Sequence, residues 1–129
     1  MSAIIPSRII QIAIPVKDIK RAVNFYREML QLRFLFEAPP QLAFFDCGGV
    51  RLMLSVPESK ELERMSSVVY FGVSDIHTAH RALVEKGVAF EGEPHMIAKM
   101  TDHDLWLAAF RDSEGNMMAL MSEVRVAAA

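Results

Sequence analysis

The feature that most limits what this chain can fold into is a pattern that it carries twice. In the first copy, Arg8 to Val16 alternates as a strand does, with Ile10, Ile12 and Ile14 on one face and Gln11, Ala13 and Pro15 on the other. Asp18 then stands where a helix N-cap is needed, because its carboxylate can accept from the free N–H groups of a first turn. Ile19, Ala22, Val23, Tyr26, Met29 and Leu30 follow at helical spacing. Strands are expected over Leu32–Glu37, Leu42–Asp46 and Val50–Val56, with Pro39-Pro40 breaking the first pair and Gly48-Gly49 turning the second.

The second copy repeats this order. Ser67–Val73 reads as a strand and Asp75 as the cap. Ile76, Ala79, Leu83 and Val84 form the helix face, and Gly87 is its stop. Val88–Glu91, Leu105–Arg111 and Met117–Met121 are the expected strands, with Glu114-Gly115-Asn116 as a turn and Val124–Ala129 as a frayed tail or an edge extension. Asp18 matches Asp75 at an offset of 57 (75 − 18), and Gly49 matches Gly115 at 66 (115 − 49). The second copy is therefore nine residues longer (66 − 57), and the surplus falls in Gly92–Asp104. Loops inserted in a tight repeat often cover the mouth of a pocket, and whether this segment does so is left open by the sequence. Two such copies imply an α+β fold of two tandem βαβββ modules, at about residues 8–56 and 67–122, joined by a charged linker at about 57–66 with room for a helical turn. With 129 residues, the whole is expected to be one domain.

Bulk numbers remove several functions. A net charge of −2 and a pI near 6.1 give no electrostatic case for nucleic acid or an anionic membrane. No apolar run is long enough for a transmembrane helix, and Met1 to Arg8 lacks the basic and apolar regions of a signal peptide. Cys47 is alone, so no internal disulfide can form, and a cytoplasmic location is expected. Asp46 beside it argues against a reactive thiolate. Nine methionines are unusual. They serve either as ordinary core filling or as an adaptable apolar lining.

The run Gln-Ile-Ala-Ile-Pro-Val-Lys-Asp-Ile with Ala22 and Phe25-Tyr26, and later Val-Ser-Asp-Ile, Glu-Lys-Gly-Val and Phe-Arg-Asp-Ser-Glu-Gly-Asn, resembles the vicinal oxygen chelate superfamily. That superfamily includes glyoxalase I, bleomycin-resistance proteins and extradiol dioxygenases. The resemblance implies that the modules curl into a cupped mixed sheet. It further implies a divalent metal in catalytic members, held by His, Gln or Glu from the first and fourth strands of each copy. Counted from the cap aspartates and hairpin glycines, those positions are Gln11, Met53, Val68 and Ala119. Only Gln11 carries a donor, and a lone neutral amide does not hold a hard dication. No metal and no other cofactor is therefore expected, with a divalent metal at a relocated site as the alternative.

Strand alternation then puts Gln11, Ala13, Arg51, Met53, Ser55, Val68, Tyr70, Met117, Ala119 and Met121 on the face of the former ligand positions. Gln11, Arg51, Met53, Tyr70, Met117 and Ala119, with Trp106 closing by stacking, are the expected ligand-binding residues. Arg51 suits a carboxylate or phosphate, and Gln11 and Tyr70 suit a carbonyl. The same side chains can instead simply fill the cup. His95, His103 and Tyr70 are the candidate catalytic residues, His103 because Asp102 and Asp104 flank it. His77 and His80, three apart on the second helix, read as helix-surface and boundary residues rather than a metal pair. Asp112 and Glu114 read as turn chemistry.

The leading expectation is a metal-free protein that binds a small, mostly apolar molecule. Bleomycin itself fits poorly, since a cationic drug favours a strongly acidic groove. The alternatives are a lyase, isomerase or dioxygenase of the same superfamily, and a module with a filled cup that serves assembly. A homodimer is expected under each.

Overall fold

The structure, a computed structural model, describes residues 8–58 and 67–126. The expected lead-in before Arg8, most of the expected linker and the last three residues lie outside them. The chain divides into two compact units, residues 1–66 and 67–129. No helix among the described residues is long and apolar enough to cross a membrane.

In the first unit the elements run β1 (Gln11–Pro15), α1 (Ile19–Asn24), a π-helical turn (Phe25–Met29), β2 (Arg33–Ala38), β3 (Leu42–Cys47) and β4 (Val50–Ser55). The sheet order is β1-β4-β3-β2, with β1 parallel to β4 and the other pairs antiparallel. Asp18 caps α1 as expected, its carboxylate accepting from the Arg21 N–H at 3.1 Å. Ile19, Ala22, Phe25 and Tyr26 are buried, as are Ile14, Ala43, Phe45, Leu52 and Leu54 on the sheet face that the helix covers. Tyr26 and Phe45 lie 6.0 Å apart by ring centroid. Burying each such aromatic side chain contributes roughly 2–3 kcal/mol. Gly48 and Gly49 have φ of +59° and +91°, the left-handed pair that a tight two-residue hairpin requires.

One departure concerns the helix end. The sequence reads as one regular helix to Leu30, but the Leu30 N–H donates to the Phe25 carbonyl at 3.1 Å, a five-residue step. Gln31 then takes a φ of +58°, and Leu32 N–H closes back on Tyr26 at 3.0 Å. This widened turn rotates Phe25 and Tyr26 together into the core, where they meet edge to face at 5.4 Å.

In the second unit the elements are β5 (Val69–Gly72), α2 (Ile76–Glu85), β6 (Ala89–Phe90), β7 (His95–Lys99), β8 (His103–Arg111) and β9 (Met117–Arg125). The order is β5-β9-β8-β6, with β7 also pairing β8 and β5 parallel to β9. Asp75 caps α2, accepting from the Thr78 N–H at 3.2 Å and the Thr78 hydroxyl at 2.9 Å. These bonds, the backbone one foremost, hold the Asp75 carboxyl below its usual range. Helix α2 packs on β8 and β9, and Ile76, Ala108, Phe110, Met118 and Leu120 form the buried layer. His80 is buried there too, edge-on to Phe90 at 4.5 Å, while His77 is exposed.

The nine-residue surplus is in part regular structure. His95–Lys99 is a strand hydrogen-bonded to β8, with a bulge between Met96 and Ala98. Strands β8 and β9 also run further than expected, to His103 and Arg125. At their turn Asp112, itself buried, accepts from the N–H groups of Glu114 and Asn116, both at 2.8 Å, and from the Asn116 side chain at 2.9 Å. The acidic turn is thus structural.

Candidate functional site

Each sheet has one face against its helix and one open face, and strand register decides which side chains share the open one. In the first unit β1 and β4 pair Gln11 with Arg51, Ala13 with Met53, and Pro15 with Ser55. Strand β3 extends these rows with Asp46, Phe44 and Leu42, and β2 with Arg33, Phe36 and Ala38. Three of the expected binding residues, Gln11, Arg51 and Met53, are therefore brought together. Arg51 Nε donates to Gln11 Oε1 at 2.7 Å, and Gln11 Nε2 reaches Met53 Sδ at 3.7 Å. Both ends of the Gln11 amide are engaged, and its orientation follows: an arginine can only donate, so the amide oxygen must face it. The Arg51 guanidinium carbon also lies 5.7 Å from the Phe44 ring centroid, within cation–π range.

The aromatic part of this face comes from two residues that the sequence reading left out. Phe36 and Phe44 are stacked, with centroids 4.6 Å apart and planes at 28°. Phe36 is 49% exposed, a large apolar ring turned outward. The signal for Phe44 was present in the alternation of Leu42, Phe44 and Asp46 against the buried Ala43 and Phe45. The first unit also has a hollow of ≈ 450 Å³ lined by Pro39, Pro40, Leu42, Ser55, Val56 and Pro57, among others. Leu42 and Ser55 belong to the next row of the same open face.

This arrangement bears on the metal that the family resemblance implies. The one donor atom at the four family positions, Gln11 Oε1, already accepts from a guanidinium. A dication about 5 Å from that charge would meet a repulsion of roughly 6–7 kcal/mol at an effective dielectric of about 20. Met53, Val68 and Ala119 supply no oxygen or nitrogen to offset it. The residues present do not fit the group. Among the described residues, no three His, Cys, Asp or Glu side chains are grouped so as to hold a metal ion elsewhere.

In the second unit the open face carries Tyr70, Ala119 and Ala109 in one row and Gly72, Met121 and Leu107 in the next. Tyr70, Gly72, Val73, Met121 and Glu123 line a hollow of ≈ 390 Å³. Val68 and Tyr70 are exposed and Met117 is half-buried. Two expected binding residues are placed otherwise. Ala119 is only 2% exposed and offers a ligand almost no surface. Trp106 pairs with Ser122, which puts it on the opposite face from Ala119 and Met121. There it meets His77 edge-on at 5.0 Å and lines a separate hollow of ≈ 290 Å³ with Ser74, Asp75 and Ile76, so it does not close over the open face.

Of the candidate catalytic residues, His103 has a built environment. Its Nδ1 lies 2.7 Å from Asp102 Oδ1, and its Nε2 is 4.0 Å from Glu123 Oε2. Arg125 holds the other Asp102 oxygen at 2.7 Å. The hydrogen bond to His103, then the nearby charges of His103 and Arg125, keep the Asp102 carboxyl below its usual range. Glu123 also lines the hollow of Tyr70, whereas His103 itself is not part of that lining. His95 pairs with Leu107 at the sheet edge, exposed, with Nδ1 3.3 Å from the Glu93 carbonyl oxygen.

The chain matches known proteins over most of its length. A family model described as Glyoxalase/Bleomycin resistance protein/Dioxygenase superfamily matches residues 8–120. The uncharacterized protein YraH of Bacillus subtilis (strain 168) is 30% identical over 129 residues, covering 88% of this chain and 96% of that protein. A superfamily member from Sphaerobacter thermophilus has a similar fold, with a TM-score of 0.76 at 24% identity, covering 92% of this chain and 98% of that one. So does TnmS3, an antibiotic binding protein from Streptomyces sp. CB03234, with a TM-score of 0.70 at 22% identity, covering 95% of this chain and 99% of that one.

Proposed function

The chain belongs to the glyoxalase/bleomycin resistance protein/dioxygenase superfamily, and from that membership we propose that it is a metal-free binding protein for a small, mostly apolar molecule. The observation that carries this reading is the state of Gln11. The only donor among the four family positions is committed to Arg51 and Met53, while Phe36, 49% exposed and backed by the buried ring of Phe44, presents an aromatic surface on the same sheet face. That an antibiotic binding protein shares the fold is in keeping with it. We place the protein in the cytoplasm, where a free Cys47 stays reduced, and as a homodimer.

A thermal-shift screen tests the reading. Planar aromatic compounds are expected to raise Tm by about 2 °C or more at saturating concentration, and Mn²⁺, Zn²⁺, Ni²⁺ or Fe²⁺ to leave it unchanged. Metal stabilisation that disappears in Gln11→Ala would overturn the proposal.

A second reading has one observation in its favour. The Asp102–His103 pair, with Nε2 4.0 Å from Glu123 Oε2, is an arrangement suited to moving a proton. It supports a lyase or isomerase using acid–base chemistry. Proton exchange at a carbon acid that depends on His103 but not on Gln11 would favour it over binding alone.

A further inference from the structure

We propose that the ligand of the first unit's open face is a planar aromatic acid, its carboxylate held by Arg51 and its ring laid on Met53 and Phe36, with the buried Phe44 ring behind them. This rests on the binding function proposed above and names its ligand class.

The guanidinium is prepared for an anion from behind. Its Nε is fixed at 2.7 Å to Gln11, and its carbon stands 5.7 Å from the Phe44 ring. Among the described residues the two terminal nitrogens have no hydrogen-bond partner. A fork of two parallel N–H groups fits a carboxylate in two-point fashion. Asp46 is the cross-strand neighbour of Arg51, and it is the group that would be expected to use this fork. No ion pair within 4.0 Å joins them among the described residues. Gln11 spends its oxygen on Arg51 Nε and one amide N–H on Met53, so its part in the site is to position the Arg51 fork.

The apolar half follows from register. One row along from Arg51 the face holds Ala13, Met53, Phe44 and Phe36 in a line across all four strands. Apart from the Met53 sulfur, a weak acceptor already used by Gln11, none of these side chains can hydrogen-bond a ligand, and the exposed Phe36 ring favours a flat one. The next row opens into the ≈ 450 Å³ hollow at Leu42 and Ser55. From Arg51 to Ser55 is four residues of strand, about 13 Å, room for two fused rings beyond the carboxylate.

The test uses the full chain and calorimetric titration with four probes: 2-naphthoate, its neutral isostere 2-naphthamide, acetate and inorganic phosphate. The acid is expected to bind at least about tenfold more tightly than the amide, the size of one charge-assisted hydrogen-bonded pair. Acetate and phosphate should bind far more weakly than either. Arg51→Gln should abolish the preference for acid over amide, and Gln11→Ala should reduce it. Circular dichroism checks that each variant is folded, and Arg51→Lys, which keeps the charge without the fork, serves if Arg51→Gln is not. Equal binding of acid and amide overturns the proposal while leaving an apolar binding function intact. Phosphate binding as tightly as naphthoate overturns the aromatic part. Binding of none of the four overturns both this proposal and the function on which it rests.

Discussion

Cys47 shows how local surroundings decide the chemistry of a single group. It is half-buried at the end of β3, and burial first, then the charge of Asp46, push its thiol up. The thiolate is the reactive form, so this cysteine is expected to be sluggish. Alkylation by iodoacetamide at pH 8 should run at least about threefold slower than for a free thiol, and Asp46→Asn should speed it by about twofold. Mass spectrometry of timed samples measures both rates. A rate equal to that of a free thiol would refute the assignment. Gln11 is the complementary case. Its place on the open face was legible by counting back from Asp18, because strand alternation is local. Its partner was not. The hydrogen bond to Arg51 exists because β1 and β4 pair in parallel with those two residues side by side. That register is a long-range property, which local alternation in either strand does not carry. Trp106 failed for the same reason. Its face is set by pairing with Ser122 across the β8–β9 hairpin, not by the polar segment next to it in sequence.

Elements were legible where one residue's chemistry enforces them. Asp18 and Asp75 each cap a helix, and Gly49 and Gly115 each turn a hairpin with φ of +91° and +84°. Strand β7 was not legible, since His-Met-Ile-Ala-Lys has no alternation and follows Pro94. It is a strand because β8 offers it a ladder. The α2 cap carries a pH dependence whose sign can be worked out. Hydrogen bonds from Thr78 lower the folded Asp75 pKa below its unfolded value of about 3.9. Its contribution to stability is therefore complete above that value and is lost as pH falls through the folded pKa. Asp75→Asn keeps a capping oxygen but cannot titrate. Thermal melts from pH 7 to pH 2.5 should show wild type ahead of Asp75→Asn at neutral pH, with the gap closing below about pH 4. Asp102 titrates in the same direction, but it is common to both proteins and cancels. A gap that widens in acid would show that the Thr78 bonds do not favour the charged form.

At the scale of the molecule, the repeat explains why the two units share a plan, and the surplus of the second copy explains how they differ. Strands β8 and β9 are nine residues each, against six for β3 and β4, and β7 is added beside them. This extension leaves apolar side chains outside: Ile97, Met100, Val124 and Val126 are all more than 40% exposed. The Met100 N–H donates to the His103 carbonyl and the Val126 N–H to the Asp102 carbonyl, so Met100 and Val126 lie at the same end of the hairpin. Among the described residues strand β7 moreover pairs only with β8, and none of them pairs with its outer edge. An apolar patch beside an open edge is a natural site for a second copy. Light scattering is expected to return about 29 kDa, twice the 14.5 kDa chain. Ile97→Glu combined with Val124→Lys, both outside the buried layer, should leave the fold intact by circular dichroism and shift the mass to that of one chain. Wild type at 14.5 kDa across the micromolar range would refute the dimer. A dimer that survives the double substitution would move its interface away from the extension and onto another exposed apolar surface, such as the Phe36 or the Tyr70 face, in the first case in direct competition with the proposed ligand.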